Sequence, residues 1–270
     1  MRMEIDKIMG KISTTALLKG ILGTASTALT LGLLSSSQGM AATMTDVELS
    51  LLVDVSGSVN NSEFNLQRNG YADAFRSSSV IDGITNGNEG QIAANLIYWS
   101  DSNRQAEAVE WSSIDDAASA NDFADAIATA PRPFGGATAP GSAIDFSVPG
   151  FDANEFNSTR EVIDVSGDGV ENQGVDAPTA GDNALEAGID TLNGLVISDD
   201  PDVLSYYQDD VMGGSDAFVS LVDNFNQFGD AIENKLAAEI TAQPVPEPLT
   251  VMGTLTAGGL GVFLKRRRKR

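Results

Sequence analysis

The stretch Val47-Glu48-Leu49-Ser50-Leu51-Leu52-Val53-Asp54-Val55-Ser56-Gly57-Ser58 decides the reading of this chain. Its first eight residues are apolar and β-branched enough for a buried strand, the kind found in sheets covered by helices. Its last five supply a carboxylate and two hydroxyls at alternate positions, Asp54, Ser56 and Ser58. On an extended segment residues i, i+2 and i+4 point the same way, so three oxygen donors converge where the strand ends. Mg2+ takes such donors in near-octahedral geometry, using one or two carboxylates and keeping water positions open. Taken alone, Ser-Gly-Ser after a strand more often marks a helix cap or a turn.

Working outward, residues 63–75 carry Phe64, Tyr71 and Phe75 at helical spacing, with Leu66 off that stripe. Residues 92–99 and 106–111 read as a strand pair, and 122–130 as a helix. Three further strands are predicted at 162–166, 191–197 and 217–222, with helices around 180–188 and 224–240. Strands alternating with helices predict an α/β fold, a doubly wound and mostly parallel sheet with helices on both faces. In such sheets the site lies beyond the carboxyl ends of the strands, at the point where strand order reverses.

Two later segments stand at the stations that this rule requires. Phe134-Gly135-Gly136-Ala137-Thr138-Ala139-Pro140-Gly141 holds a threonine hydroxyl in a glycine-rich loop before a helical 142–146. Val162-Ile163-Asp164-Val165-Ser166-Gly167-Asp168-Gly169 is a strand running into an exposed carboxylate. Together with residues 54–58 these pieces resemble the von Willebrand factor type A domain and its metal-ion-dependent adhesion site, over about residues 46–240. The resemblance implies one Mg2+ (or Mn2+) held by Asp54, Ser56, Ser58, Thr138 and Asp168, the hydroxyls binding inside and the carboxylates directly or through water. One departure is Gly167, where the family usually has threonine; it leaves the pose of Asp168 less fixed. Asp164 also begins an imitation of a calcium loop, but position 12 of that loop is Val175 rather than glutamate, so the match fails. Lying inside an apolar strand, Asp164 is expected to be a structural carboxylate. The acidic runs at 115–116, 199–202 and 209–210 read as solvated loops, and Trp99 and Trp111 as core or edge residues.

The chain of 270 residues has no Cys and no His. That excludes a Ser-His-Asp triad, a cysteine nucleophile, thiolate or imidazole zinc and a disulfide framework. Its charge is segregated. Of 38 acids only Glu4, Asp6 and Glu247 lie in the terminal segments, whereas of 16 bases only Arg68, Arg76, Arg104, Arg132, Arg160 and Lys235 lie between them. The middle therefore carries a formal charge near −29, which repels phosphate backbones and excludes nucleic acid as a partner.

The termini divide the chain into three. Residues 1–42 combine Arg2, Lys7, Lys11 and Lys19 with an uncharged stretch at 20–40 and small residues at Gly39-Met40-Ala41-Ala42, the grammar of a secretory signal. Residues 43–243 are the domain. Residues 244–270 contain Val245-Pro246-Glu247-Pro248, an uncharged run at 249–264 and six consecutive bases ending at Arg270. This tail resembles the PEP-CTERM sorting signal, which implies processing by an exosortase, a membrane transpeptidase-like enzyme, and often accompanies exopolysaccharide production. A cell-envelope or extracellular location follows, with a transient or retained C-terminal membrane anchor; a plain transmembrane anchor is the alternative.

The expected function is that of a binding or adhesion module, not an enzyme. It would recognise a protein or extracellular matrix partner whose carboxylate completes the shell of the Mg2+ ion. The alternatives are a structural component of an exopolysaccharide matrix with a structural metal, and a metal-dependent hydrolase. Against the hydrolase, the segments offer no general base beside the ion and no phosphate-cradling Gly-Lys motif.

Overall fold

The computed structural model describes residues 42–242. The chain enters through a short strand, β1 (Thr43–Thr45), and then β2 (Glu48–Asp54), in which all seven residues are buried. Asn60 starts α1 (Asn61–Arg76) by accepting from the Ser62 and Glu63 amides, while the Glu63 side chain returns to the Asn60 N–H at 2.8 Å. That reciprocal cap satisfies donors that a helix start leaves orphaned. There follow α2 (Ser78–Thr85), β3 (Ile92–Trp99), β4 (Gln105–Ile114), α3 (Ala117–Thr129), α4 (Pro140–Ala153), β5 (Phe156–Ser158), β6 (Glu161–Gly167) and α5 (Ala177–Ala187). The last elements are β7 (Thr191–Ile197), α6 (Pro201–Tyr206), a π turn at Tyr207–Val211, β8 (Gly213–Gly214), β9 (Val219–Val222) and α7 (Phe228–Thr241).

The main sheet has the order β4-β3-β2-β6-β7-β8, with β9 also paired to β7. Strands β3, β2, β6, β7 and β9 run parallel, and β4 and β8 run antiparallel. The sheet is therefore mixed, and β1 pairs only with β5 in a small parallel sheet of its own. Because β2 is flanked by β3 and β6, strand order reverses at its carboxyl end, opening a crevice there. At the other margin β4 follows β3 irregularly, with register shifts between Ala94 and Leu96 and between Leu96 and Ile97.

Helices cover both faces. Leu49, Leu51 and Val53 belong to one core with Tyr71, Phe75, Phe123, Phe228 and Leu236. Leu52 lies on the opposite face with Ile144, Phe151, Ile163, Val165 and Tyr207. Burial on both faces is why β2 reads as a nearly continuous apolar run rather than an alternating one. Several bounds differ from those the sequence predicts. The helix α2 was not foreseen, being eight residues long with Val80, Ile81, Ile84 and Thr85 β-branched and Gly83 inside it. Gly83 belongs there because α7 passes close; a Cβ would lie 3.2 Å from Thr241 Cγ2. The expected helix at 224–240 is a short 3-10 turn, Phe225–Gln227, followed by α7.

The expectation of a transmembrane, membrane-anchored chain is corrected. Among the described residues no helix is long and apolar enough to cross a membrane. The longest, α1, has 16 residues and an exposed polar face, against about 20 apolar residues for a span. The signal-like residues 1–41, the PEP-CTERM-like tail with its exosortase and the run at 249–264 lie outside the described residues.

One group of charges sits wholly inside. Lys235 of α7 places Nζ 2.7 Å from Asp164 Oδ1 and also bonds Glu239, all three side chains being buried. Asn193 donates to Glu239 at 2.8 Å. Burial, then the Asp164 charge, pushes Glu239 up to about 7, opposed by Lys235. Removing one member of a buried ion group strands the others, at a cost of about 3–5 kcal/mol. Lys235→Met should therefore lower unfolding free energy by about that amount. The triple replacement with Asp164→Leu and Glu239→Leu should recover most of the loss, as read from urea unfolding.

Candidate functional site

Where β2 ends, the chain turns under its own backbone. Asp54 is fully buried, and its Oδ1 accepts the Ser56 amide at 2.6 Å. Gln67 of α1 holds the Asp54 carbonyl at 3.1 Å. Ser56 is buried, and its Oγ lies 3.0 Å from Ser58 Oγ. The exposed Ser58 in turn donates to Asp168 Oδ1 at 2.6 Å, across the gap between the ends of β2 and β6. Four of the five residues expected at the site are thus linked in one chain of contacts from the interior to the surface. Thr138 is buried but joins differently: its amide donates to Asn172 Oδ1 at 3.1 Å, and its carbonyl accepts the Asn172 amide at 3.0 Å. Among the described residues its hydroxyl makes no hydrogen bond to the other four.

Burial governs the electrostatics. It pushes Asp54 up to about 7, with the charge of Asp168 adding and the Ser56 hydrogen bonds opposing. Asp168 is also raised, first by burial and against the Ser58 hydroxyl. Asp54 Oδ2 has no hydrogen-bond partner among the described residues, and neither has Tyr207 Oη. A Cβ at Gly167 would collide with Tyr207 Oη and lie 3.1 Å from Asp54 Oδ2. The departure at Gly167 therefore has a steric cause: the π turn brings Tyr207 into the place that the usual threonine would need.

The expected metal centre is corrected on the same geometry. Among the described residues no group of three or more Asp, Glu, His or Cys side chains is placed to hold a metal ion. Two carboxylates, Asp54 and Asp168, reach this cluster. One favours its neutral form up to about pH 7, and the Ser58 hydroxyl is already committed to the other. A defined Mg2+ or Mn2+ site is thus not shown, and what the described residues form here is a hydrogen-bonded polar cluster.

Several residues that shape the rim are not evident from the motif. Arg132 folds inward, Nη2 donating to Val55 O and Ser56 O at 2.8 Å each and Nε to Phe134 O at 3.1 Å. Arg104 bonds Gly135 O and sets Nε 3.2 Å from Asp101 Oδ2. Gly136 packs closely beside it, where a Cβ would lie 2.7 Å from Asp101 Oδ2 and 3.2 Å from Ser100 Oγ and would displace those side chains. The one signal for these in the sequence is the rarity of arginine in so acidic a segment.

Comparison with known proteins follows the geometry. A family model described as "Protein of unknown function (DUF1194)" matches residues 44–244. Among curated proteins none matches. Proximal thread matrix protein 1 from the mussel byssus is similar, with a TM-score of 0.52, 13% identity, and 74% of this chain and 48% of that one covered. The open form of the pilus adhesin SpaC from Lactobacillus rhamnosus GG gives a TM-score of 0.53 at 17% identity, covering 74% of this chain and 30% of that one. A von Willebrand factor type A protein from Catenulispora acidiphila gives 0.52 at 16%, covering 73% and 43%. The chain thus spans less than half the length of each. At such identities the likeness is one of fold alone: the described residues share the α/β fold of these proteins, the von Willebrand factor type A protein among them.

The buried carboxyl sets a pH dependence. A carboxyl whose pKa is higher folded than unfolded stabilises the fold only while the folded form holds its proton. From the ordinary 3.8 to about 7, stability should fall as pH rises through that window, then level off. Asp54→Asn should make this slope shallower, leaving the share of the buried Glu239, and leave the variant more stable than the parent at pH 8, by about 2–4 kcal/mol. Urea midpoints measured from pH 4 to 8 check it.

Proposed function

The chain belongs to the DUF1194 family, and we propose that it is a non-enzymatic binding module that recognises a protein or matrix partner through the rim at the carboxyl ends of β2 and β6. The observation that carries this is the Ser58–Asp168 pair, 2.6 Å apart and open to solvent at the reversal of strand order. It offers a partner a carboxylate and a hydroxyl on a rigid base. Ser56, Gln67 and Arg132 hold the loop from below, so little ordering remains to be done when a ligand arrives. The fold likeness to a pilus adhesin and to a thread matrix protein supports the reading without deciding it.

Without a metal ion the partner's chemistry is the reverse of the carboxylate that the resemblance implied. A carboxylate would meet Asp168 and Glu63 directly, and Glu63 already raises Asp168 by its charge. The rim favours a hydrogen-bond donor or a cationic side chain, lysine or arginine, in a partner attracted by the acidic field of the domain. With no histidine in the chain, the hydroxyl of Ser58 has no imidazole to take its proton.

The test uses the immobilised full chain against an array of peptides rich in lysine, arginine, glutamine or glutamate. Basic peptides should be retained, and Asp168→Asn should weaken them about tenfold, the size of one charge-assisted hydrogen bond. Ser58→Ala should weaken them less. Retention of glutamate peptides instead, or equal binding by both variants, would reject the rim as the recognition surface.

A further inference from the structure

The sequence contains three Asn-Gly pairs, Asn69-Gly70, Asn86-Gly87 and Asn193-Gly194. Their local chemistry is the same. The backbone nitrogen of the glycine can attack the side-chain carbonyl carbon of the asparagine, because glycine puts no Cβ in the path of approach. The attack needs the asparagine side chain and the following peptide to rotate toward each other, with the glycine amide released from its hydrogen bond. The fold therefore decides which pair reacts.

Two of the pairs are locked. Asn193, in β7, is 2% exposed; its Nδ2 donates to Glu239 at 2.8 Å and its Oδ1 accepts the Phe218 amide at 2.9 Å. The Gly194 amide in turn donates to the Phe218 carbonyl at 3.0 Å. Asn69 is exposed, but it lies inside α1, and Gly70 is buried so close to α7 that a Cβ there would stand 2.7 Å from Phe228 Cδ1. Rotation at either pair would require a packed element to open.

Asn86 stands differently. It caps the end of α2 with φ −94° and ψ 4°, and both it and Gly87 are exposed. Its side chain is held by one bond, Nδ2 to the Asp82 carbonyl at 2.7 Å, and the Gly87 amide by one, to the Ile84 carbonyl at 3.1 Å. Both bonds belong to the last turn of an eight-residue helix, where fraying is local. The turn that follows also demands the glycine. The Asp46 carboxylate is pinned by the amides of Asn88, Glu89 and Gly90, and a Cβ at Gly87 would collide with its Oδ2.

We propose that Asn86 is a self-modification site, cyclising onto Gly87 in the folded chain and opening to aspartate or isoaspartate while Asn69 and Asn193 are preserved. The bond from Gly87 N to Asn86 Cγ forms, the bond from Cγ to Nδ2 breaks, and Nδ2 leaves as ammonia with the proton of the Gly87 amide. Water then opens the cyclic imide at either carbonyl. The product places a new carboxylate at the negative end of α2, close to Asp82 and Asp46, and deletes the cap bond to the Asp82 carbonyl. Isoaspartate also lengthens the main chain, which moves the amides of residues 88–90 off Asp46. Both changes loosen α2 from α7, so the site acts as a slow timer in the fold. It is separate from the rim proposed above, and neither reading depends on the other.

Warm, mildly alkaline incubation of the full chain, followed by ammonia release and by peptide mapping in a mass spectrometer, tests it. Conversion at Asn86 should run at least about tenfold faster than at Asn69 or Asn193, the ratio that a modest difference in local opening sets. In urea the three pairs should convert at similar rates, since the selection comes from the fold. Asn86→Gln should suppress the ammonia released by the folded chain. The product mimic Asn86→Asp should lower the hydrogen-exchange protection of the α2 amides and leave that of β7 unchanged. Equal conversion of the three pairs in the folded chain, or Asn86 intact where the urea-unfolded chain reacts, would overturn the site. Unchanged protection of α2 in Asn86→Asp would overturn the timer.

Discussion

Everything at the rim depends on the parallel pairing of β2 with β6, in which Glu48 to Val53 run beside Glu161 to Ser166 in register. Parallel strands end on the same side, so this single ladder delivers Asp54 and Asp168 to neighbouring positions although 113 residues of chain separate them. Burial then differentiates the two. Asp54 closes under its loop and is held by an amide, while Asp168 extends past Gly167 to the solvent. A hydroxyl from each of Ser56 and Ser58 bridges the difference in depth. The polarity of the sheet and the unequal burial of two like groups are enough to make a graded polar channel without any ion.

The scarcity of positive charge shapes the rest. Each of the six bases among the described residues is used internally. Arg132 and Arg104 hold the loops of the rim, and Arg160 closes α7. Lys235 neutralises buried acids, Arg76 pairs with Asp73 and Asp125, and Arg68 lies over the Phe64 ring. Positive charge therefore serves as a staple, and what faces outward is almost wholly acidic. A protein so arranged meets cations from every direction, and selectivity has to come from shape at particular places rather than from the field as a whole.

How far the sequence could be read depended on how much of the cause was local. Residues 92–99 and 191–197 were placed to the residue, because a buried strand bounded by polar turns carries its whole signal within eight positions. The α/β class followed from alternation alone. The helix at 78–85 was missed because it is short and β-branched, and α7 rather than its own propensity holds it. The D-x-S-x-S pattern marks the end of β2, where Asp54, Ser56, Ser58 and Asp168 meet, but not the hydrogen bonds that they make there. Whether two serines bind an ion or an aspartate depends on Asp168 arriving within 2.6 Å, and on Tyr207 occupying the space above Gly167. Neither contact is local in sequence. The same holds for Lys235, a lone base in a helical stretch whose acidic partner Asp164 lies on a strand in the middle of the sheet.

The irregular edge strand β4 has a bearing on how many copies behave together. Its two breaks of register bend the outer ladder, and Glu107 and Glu110 point from it into solvent. A bent, like-charged edge is a poor template for another strand, so main-chain pairing is disfavoured along β4. A dense layer of this protein would remain a collection of separately folded units, each repelling the next, and it would gain cohesion only from whatever multivalent cation or basic chain is shared between them.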